Sequence, residues 1–325
     1  MPEQPKFRAV AHPNIALIKY WGKVDHDLII PATSSLSLTL DIFPTTTTLH
    51  LDPTATTDQV VLNGQPAGDK FADRVTKFLD LLRARTGNTA RAVVDTVNAG
   101  PTGAGLASSA AGFAALAGAA AAAWGQNLND EDLSRLARRG SGSASRSIYA
   151  GLAQWDAGDS DETSVARPVA ADVDLALVVV VVDAGEKAIS SRAAMANTEL
   201  TSPYYQGWVT QSKLDLVEAR SALAAGDVNG LGAVVEANAM RMHASMLASF
   251  PPIRYLNSNS VAALDQVAAL RTQGIVAWAT MDAGPNVKVL TTAAQAQQVA
   301  AGMAGFGQVL VAHSGPGLKV TQVGK

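Results

Sequence analysis

Apolar and polar residues alternate through residues 7–51, between the turn signals "HPN", "KVDHD" and "IFPTT". A period of two predicts several antiparallel strands there. "LNGQPAG" (Leu62–Gly68) reads as a hairpin turn. The period becomes helical over Asp69–Arg85, with Phe71, Val75, Phe78, Leu79 and Leu82 on one face and a stop at Gly87. "RAVVDTVN" predicts a strand and the uncharged run Ala104–Trp124 a helix. That run has the length of a membrane span. It is mostly alanine and glycine and has no basic flank, so it reads as a core helix. "NDEDLSRLARRG" carries its own punctuation: Asn129 as N-cap, Asp130 to Asp132 at the positive end, Arg138 and Arg139 at the negative end, and Gly140 closing it. A second helix is expected from "SGSASRSIYAGLA".

"LALVVVVV" (Leu175–Val182) has no polar interruption and predicts a strand buried on both faces. Long helices are expected over 203–247, broken at Pro251 and Pro252, then a helix over Ser260–Arg271 ended by Gly274. "GIVAWATMDAGPNVKVL" reads as strand, turn, strand; a helix from Ala293 to Met303 and a strand "QVLVAHS" follow. There is no internal repeat and no long linker. The whole predicts an α+β chain in two parts, 1–183 and 184–325.

Composition narrows the possible functions. Of 325 residues, 48% are hydrophobic and 16% charged, ordinary for a soluble globular protein. A net charge of -3 with no basic face argues against a general binder of nucleic acid or membrane surfaces. The absence of cysteine excludes disulfides and thiolate zinc sites and fits a cytoplasmic location. The N-terminus lacks the continuous apolar core of a signal peptide. His12, His26, His50, His243 and His313 are scattered without metal-ligand spacing, and no G-x-S-x-G elbow occurs.

Four stretches hold candidate chemistry. "GPTGAGLASSAAG" (Gly100–Gly112) resembles a phosphate loop, yet Leu106 stands where a Walker loop needs lysine and Ser108 where a dinucleotide fingerprint needs its third glycine. A glycine-rich approach to a helix start still favours an anion; a turn before a tightly packed helix is the alternative. "NIALIKYWGK" places Lys19 and Lys23 around Tyr20 and Trp21. "GSGSASRS" brings three serines and then Arg146, whose planar guanidinium can grip a carboxylate. "MDAGPN" sets Asp282 at the end of an apolar strand, as an Asx turn or as a carboxylate facing a cleft. A weaker fifth motif, "GEKAISSRAAM", offers Ser190, Ser191 and Arg192 for a second phosphate.

Taken in order, "NIALIKYWGK", "IIPATSSLSLTL", "PTGAGLASSAAGFAAL", "RRGSGSASRS", "SSRAAM" and "MDAGPN" resemble the GHMP kinase superfamily, and within it the diphosphomevalonate decarboxylases. The resemblance runs nearly the full chain. It departs at Ala99 and Gly100, where the family has a pair such as Asn-Phe, and at Ser145, where a cysteine is common. It implies a two-part fold: an N-terminal part like ribosomal protein S5 domain 2 and a ferredoxin-like C-terminal part, with the active cleft between them. It also implies ATP-dependent decarboxylation of mevalonate 5-diphosphate to isopentenyl diphosphate, with ATP and Mg²⁺ as cofactors and a homodimer as the assembly. A relative acting on mevalonate or its 5-monophosphate is the neighbouring possibility.

By position in those motifs, the resemblance assigns Asp282 to the proton of the C3 hydroxyl, Arg146 to the C1 carboxylate, and Lys19 to a place near both the nucleotide and Asp282. Around the substrate it sets Tyr20, Trp21, Gly22, Lys23, Ser141, Gly142, Ser143, Ala144, Ser145, Ser191 and Arg192, with Arg74 from the 69–85 helix. Around the ATP phosphates it sets Asn98, Gly103, Gly105, Leu106, Ala107, Ser108 and Ser109. No protein metal ligands are expected, since Mg²⁺ would enter on the ATP phosphates.

Overall fold

The structure is a computed structural model and describes residues 4–100, 108–183, 185 and 189–323. Along the chain come β1 (Lys6–Ala11), β2 (Asn14–Ile18), β3 (Lys23–Asp25), β4 (Ile30–Pro31), β5 (Ser35–Thr39), β6 (Thr45–Asp52), β7 (Gln59–Leu62) and β8 (Gln65–Pro66). Then follow α1 (Asp69–Thr86), β9 (Arg91–Asn98), α2 (Ser108–Ala123), α3 (Asp130–Gly140), a 3₁₀ turn over Gly142–Ile148, β10 (Leu152–Trp155), β11 (Ala166–Pro168) and β12 (Leu175–Val181). The remainder is α4 (Ser191–Thr201), α5 (Tyr205–Ala224), α6 (Val228–Leu247), α7 (Ser258–Thr272), β13 (Trp278–Met281), β14 (Val287–Thr292), α8 (Ala296–Met303), β15 (Gln308–His313) and β16 (Lys319–Val323).

The strands form a six-stranded sheet in the order β16-β1-β6-β9-β7-β8, a four-stranded sheet β11-β10-β5-β2, a second four-stranded sheet β13-β14-β12-β15, and the small pair β3-β4. Asn63 and Gly64 both take positive φ, 51° and 77°, which makes the predicted hairpin turn tight enough to pair β7 with β8. β12 is buried along its whole length, as its valine run demands. α2 is also buried nearly all round, and its alanines let it lie close under the first sheet and the serine-rich turn. One apolar cluster joins Ile15, Leu17 and Leu38 of the first half to Leu177, Leu231 and Leu290 of the second. The two halves therefore share a core at the place where β2 ends.

Three expectations differ from the fold. "SIYAGLA" is not helical beyond Ile148; Gly151 takes a φ of 58° and the chain extends into β10, whose register with β5 runs from Leu152↔Leu38 to Trp155↔Ser35. Pairing with a strand over a hundred residues away overrides the local pattern. Gly140 does not close α3 through a left-handed turn: a Cβ there would lie 2.0 Å from the Phe113 ring, so close packing is what requires glycine. The division between 1–183 and 184–325 does not follow the sheets. β12 precedes it yet belongs to the sheet of the second half, and β16 returns to pair with β1.

Candidate active site

β2 is entirely buried and delivers Lys19 at its end. The Lys19 backbone N–H donates to Asn238 Oδ1 of α6 at 2.8 Å, and Asn238 Nδ2 donates in turn to Asp215 Oδ2 at 2.9 Å. That chain fixes the point where Lys19 leaves the strand. Its Nζ donates to the Ala16 carbonyl at 2.7 Å and to Asp282 Oδ1 at 2.8 Å. Asp282 follows β13 in a turn held by Ser260 Oγ donating to the Pro285 carbonyl and by Asp183 N–H donating to Asn286 Oδ1. Lys288 of β14 brings its Nζ to 3.3 Å from the other carboxylate oxygen. The His243 imidazole of α6 lies close enough to Asp282 to feel its charge.

The charges of this group are interdependent. Burial alone would raise the Asp282 pKa, but Lys19 and Lys288 outweigh it and hold the carboxyl well below the usual range. Burial pushes Lys19 down to about 8 against the opposing attraction of Asp282. Burial, and then the Lys19 charge, push His243 down to about 4, so the imidazole is neutral near pH 7.

Arg146 lies on the 3₁₀ turn and is 1% exposed. Its Nε and Nη2 both donate to Asn14 Oδ1 at 3.3 Å, and Nη1 donates to Ser35 Oγ at 2.5 Å. Asn14 Nδ2 reaches back to the Ser143 carbonyl and Ser147 Oγ, at 2.9 and 2.8 Å. The first residue of β2 thus holds both the arginine and the turn that presents it. Burial lowers the Arg146 pKa to about 10, with Asp282 opposing, so the guanidinium stays charged and within the field of that carboxylate. Tyr20 packs edge-on against Trp155, ring centroids 4.8 Å apart. Its ring fills the space above Gly142, where a Cβ would come within 2.8 Å.

Three further cations converge from separate elements: Lys23 of β3, Arg74 of α1 and Arg192 in the first turn of α4. Arg74 stacks on Phe113 at 4.3 Å and its Nη2 donates to the Gly140 carbonyl at 2.7 Å. Its Nε is buried with no hydrogen-bond partner among the described residues. Burial and then Arg192 push Arg74 down to about 10. Burial also lowers Lys23, with Glu199 opposing and Arg192 adding to the shift. Tyr20 lies within the fields of both Arg146 and Arg192. Cations brought together with Glu199 as the acidic neighbour among the described residues make a receptor for an anion.

A row of hydroxyls leads from this group toward α2. Ser109 Oγ lies 3.4 Å from Ser141 Oγ, and Ser141 Oγ lies 3.5 Å from Ser143 Oγ. Ser108 and Ser109 open α2, whose free N–H groups add to the attraction for an anion. The other expected residues divide. Ser145 donates to the Gly142 carbonyl at 2.8 Å and Ala144 is buried in the core, so both shape the turn. Trp21 joins an apolar cluster with Met195, Trp208 and Met242. Gly22 has a φ of 96° and lies against Tyr205, whose hydroxyl would be 1.7 Å from a Cβ. Asn98 Oδ1 accepts from Thr45 Oγ1 at 2.8 Å. Ser191 stands in the first turn of α4, whose N-cap is Ser190. Gly103, Gly105, Leu106 and Ala107 lie outside the described residues.

Sequence reasoning missed Asn14, Ser35, Lys288, His243 and Asn238. The available signal was a polar residue set in an otherwise apolar strand, as in "NIALI" and "NVKVL".

Comparison with known proteins gives consistent matches. A family model described as the diphosphomevalonate decarboxylase-like N-terminal domain matches residues 11–166. One described as the mevalonate 5-diphosphate decarboxylase C-terminal domain matches residues 177–313. The diphosphomevalonate decarboxylase of Ganoderma lucidum is 36% identical over 311 residues, covering 87% of this chain and 77% of that protein. The solved structure of MDDEF in complex with MVAPP, AMPPCP and magnesium is similar with a TM-score of 0.95 and 44% identity, covering 99% of this chain and 100% of that one. Mevalonate diphosphate decarboxylase from Staphylococcus aureus gives a TM-score of 0.95 and 42% identity, covering 98% of each chain.

Proposed function

This chain belongs to the diphosphomevalonate decarboxylase family, and on that premise we propose how its cleft performs the ATP-dependent decarboxylation of mevalonate 5-diphosphate. The observation that carries the reading is the Lys19–Asp282 ion pair, 2.8 Å across and bridging residues 263 apart in sequence, within the field of the buried Arg146.

The chemistry accounts for these residue types. Direct loss of carbon dioxide would leave an electron pair on C2 with nowhere to go, and hydroxide is a poor leaving group from C3. Transfer of the γ-phosphoryl group of ATP to the C3 oxygen releases ADP and makes a leaving group; the hydroxyl proton passes to Asp282. Such general-base assistance is worth roughly 10²–10⁴-fold. The C3–O bond then breaks, phosphate leaves, and the C1–C2 electron pair becomes the C2=C3 double bond as carbon dioxide departs. Arg146 holds the C1 carboxylate in line for that collapse. Lys23, Arg74 and Arg192, with Ser141, Ser143 and Ser191, receive the diphosphate, and Tyr20 walls the space between diphosphate and carboxylate. Trp21, Gly22, Gly142, Ala144 and Ser145 shape the walls behind them. The ATP phosphates are received by Ser108 and Ser109, which open α2, and by Asn98 at the end of β9.

The hydroxyl row and the helix start suit a triphosphate that brings its own metal. Mg²⁺ bound to the phosphates would neutralise part of their charge. A homodimer is also proposed, on family resemblance, and a cytoplasmic location, on the lack of cysteine; light scattering of the purified chain tests the assembly.

The reaction is tested by supplying ATP and Mg²⁺ with mevalonate, its 5-monophosphate or its 5-diphosphate in turn. The expected result is carbon dioxide, ADP and phosphate in equal amounts with the diphosphate. ADP without carbon dioxide would identify a 3-kinase, and carbon dioxide chiefly from the monophosphate would move the activity to that ester. Asp282→Asn is expected to cut turnover by about 10²–10⁴-fold, the share owed to the general base, while ATP and substrate still bind; normal turnover by that variant would remove Asp282 from the mechanism.

A further inference from the structure

Asp282 faces two ammonium groups, and one of them has no part in the reaction so far. Lys19 donates to Oδ1. Lys288 stands 3.3 Å from Oδ2, an atom that is fully buried and accepts no well-aligned hydrogen bond. The Asp282 side chain as a whole is 28% exposed. Its Oδ1 edge is therefore the one turned toward the cleft, and Oδ2 is turned toward the interior.

Lys288 itself is 2% exposed, and its ladder neighbours Val179 and Thr280 are both fully buried. An ammonium in such a place is strongly unfavourable without a partner, and Asp282 is the carboxylate it pairs with. Methionine would fill the same slot with no charge to desolvate. For packing alone lysine is the poorer residue, so its charge is the property with consequences.

We propose that Lys288 is a positioning residue for Asp282: from behind, it keeps the carboxylate ionised and keeps the Oδ1 edge turned toward the C3 hydroxyl. The proposal rests on the role of Asp282 given above and goes one layer deeper. Among the described residues four groups surround that carboxylate: Lys19 at the end of β2, Lys288 on β14, His243 on α6 and Arg146 on the serine-rich turn. His243 is neutral near pH 7, so Lys288 supplies one of the three positive charges that these residues bring to it.

The sign of the effect follows. Removing a cation weakens the preference for the ionised carboxylate, so the Asp282 pKa rises toward its ordinary value. Lys288→Met is expected to raise the apparent pKa of Asp282 by about 1–3 units. The readout is the ¹³C carboxyl titration of the full chain labelled at aspartate, assigned with Asp282→Asn. Turnover at pH 7 should fall about 10–100-fold through misorientation of the base, with AMPPCP affinity within about threefold of wild type. In the Asp282→Asn background the same change should alter residual turnover by less than about twofold, since the residue it positions is gone.

A folded Lys288→Met protein whose Asp282 titration is unmoved would overturn the proposal. So would an equal loss of turnover from that substitution in both backgrounds. Should Lys288→Met not fold, Lys288→Arg decides: it keeps the charge, so the wild-type titration should persist, and a raised Asp282 pKa in that variant would overturn the proposal. Full turnover by Asp282→Asn would instead refute the role of Asp282, which separates the two failures.

Discussion

Lys19 gives a pH dependence at the scale of one residue. Burial lowers it to about 8, with Lys288 and Arg146 adding to the shift and Asp282 opposing it. The charged ammonium is the form that holds Asp282, and it is lost as pH rises through that value. The kcat/KM profile is therefore expected to fall above about pH 8. Lys19→Arg keeps its proton at any working pH, so its basic limb should move upward even where overall activity drops. A limb unchanged in that variant would belong to another group. Arg192 acts at the same scale on binding: loss of one charge-assisted contact, about 1.5–3 kcal/mol, raises KM for the substrate about 10–150-fold in Arg192→Ala. A steady-state titration with kcat little changed checks this. Arg146 and Asp282 stand out in the sequence because they sit in serine- or glycine-bearing turns that need explaining, and Lys19 because it ends an apolar run beside Tyr20 and Trp21. Ser35 and Lys288 do not, because their partners Arg146 and Asp282 become visible only once β5 and β14 have found their neighbours.

α3 shows what local rules capture and what they miss. Its N-cap is as read, with Asn129 Oδ1 accepting from the Asp132 N–H at 2.8 Å, and that geometry needs only four consecutive residues. Its last glycine serves something non-local. Gly140 lies against the Phe113 ring of α2, and Arg74 of α1 stacks on that same ring while donating to the Gly140 carbonyl. Gly140→Ala must displace the ring, an overpacking that costs roughly 1–3 kcal/mol. Denaturant unfolding should show that loss. Because Arg74 rests on Phe113, the KM for the substrate should rise as well; a stability loss with unaltered KM would show that Arg74 is positioned independently of the ring. The helix expected over "SIYAGLA" failed for the related reason that β10 is dictated by β5, far away in sequence.

The whole molecule is closed by its own C-terminal segment, which no local pattern announced. After β15, Gly315 N–H donates to the Thr39 carbonyl at 2.8 Å and its own carbonyl accepts from Gly151 N–H at 3.0 Å. Leu318 N–H then donates to the carbonyl of Ile148, the last residue of the turn that carries Arg146. Gly317 is pressed so closely there that a Cβ would lie 2.6 Å from that carbonyl. β16 finally covers β1, while Leu318 and Val320 seat against Gly118 of α2. One C-terminal segment, Gly315 to Val320, thus supports both the arginine turn and α2. A chain ending at Ser314 would leave the β1 edge unpaired and the Gly118 face of α2 uncovered, a combination that invites aggregation. The thermal midpoint should fall, and any folded remainder should bind AMPPCP and the substrate more weakly than the full chain. Addition of both ligands should recover part of the lost stability, since binding to the folded state alone adds RT ln(1 + [L]/Kd). If the shortened chain melted and bound like the full one, the C-terminal segment would be an ornament on the fold, and the serine-rich turn would owe its geometry to Asn14 and β5 alone.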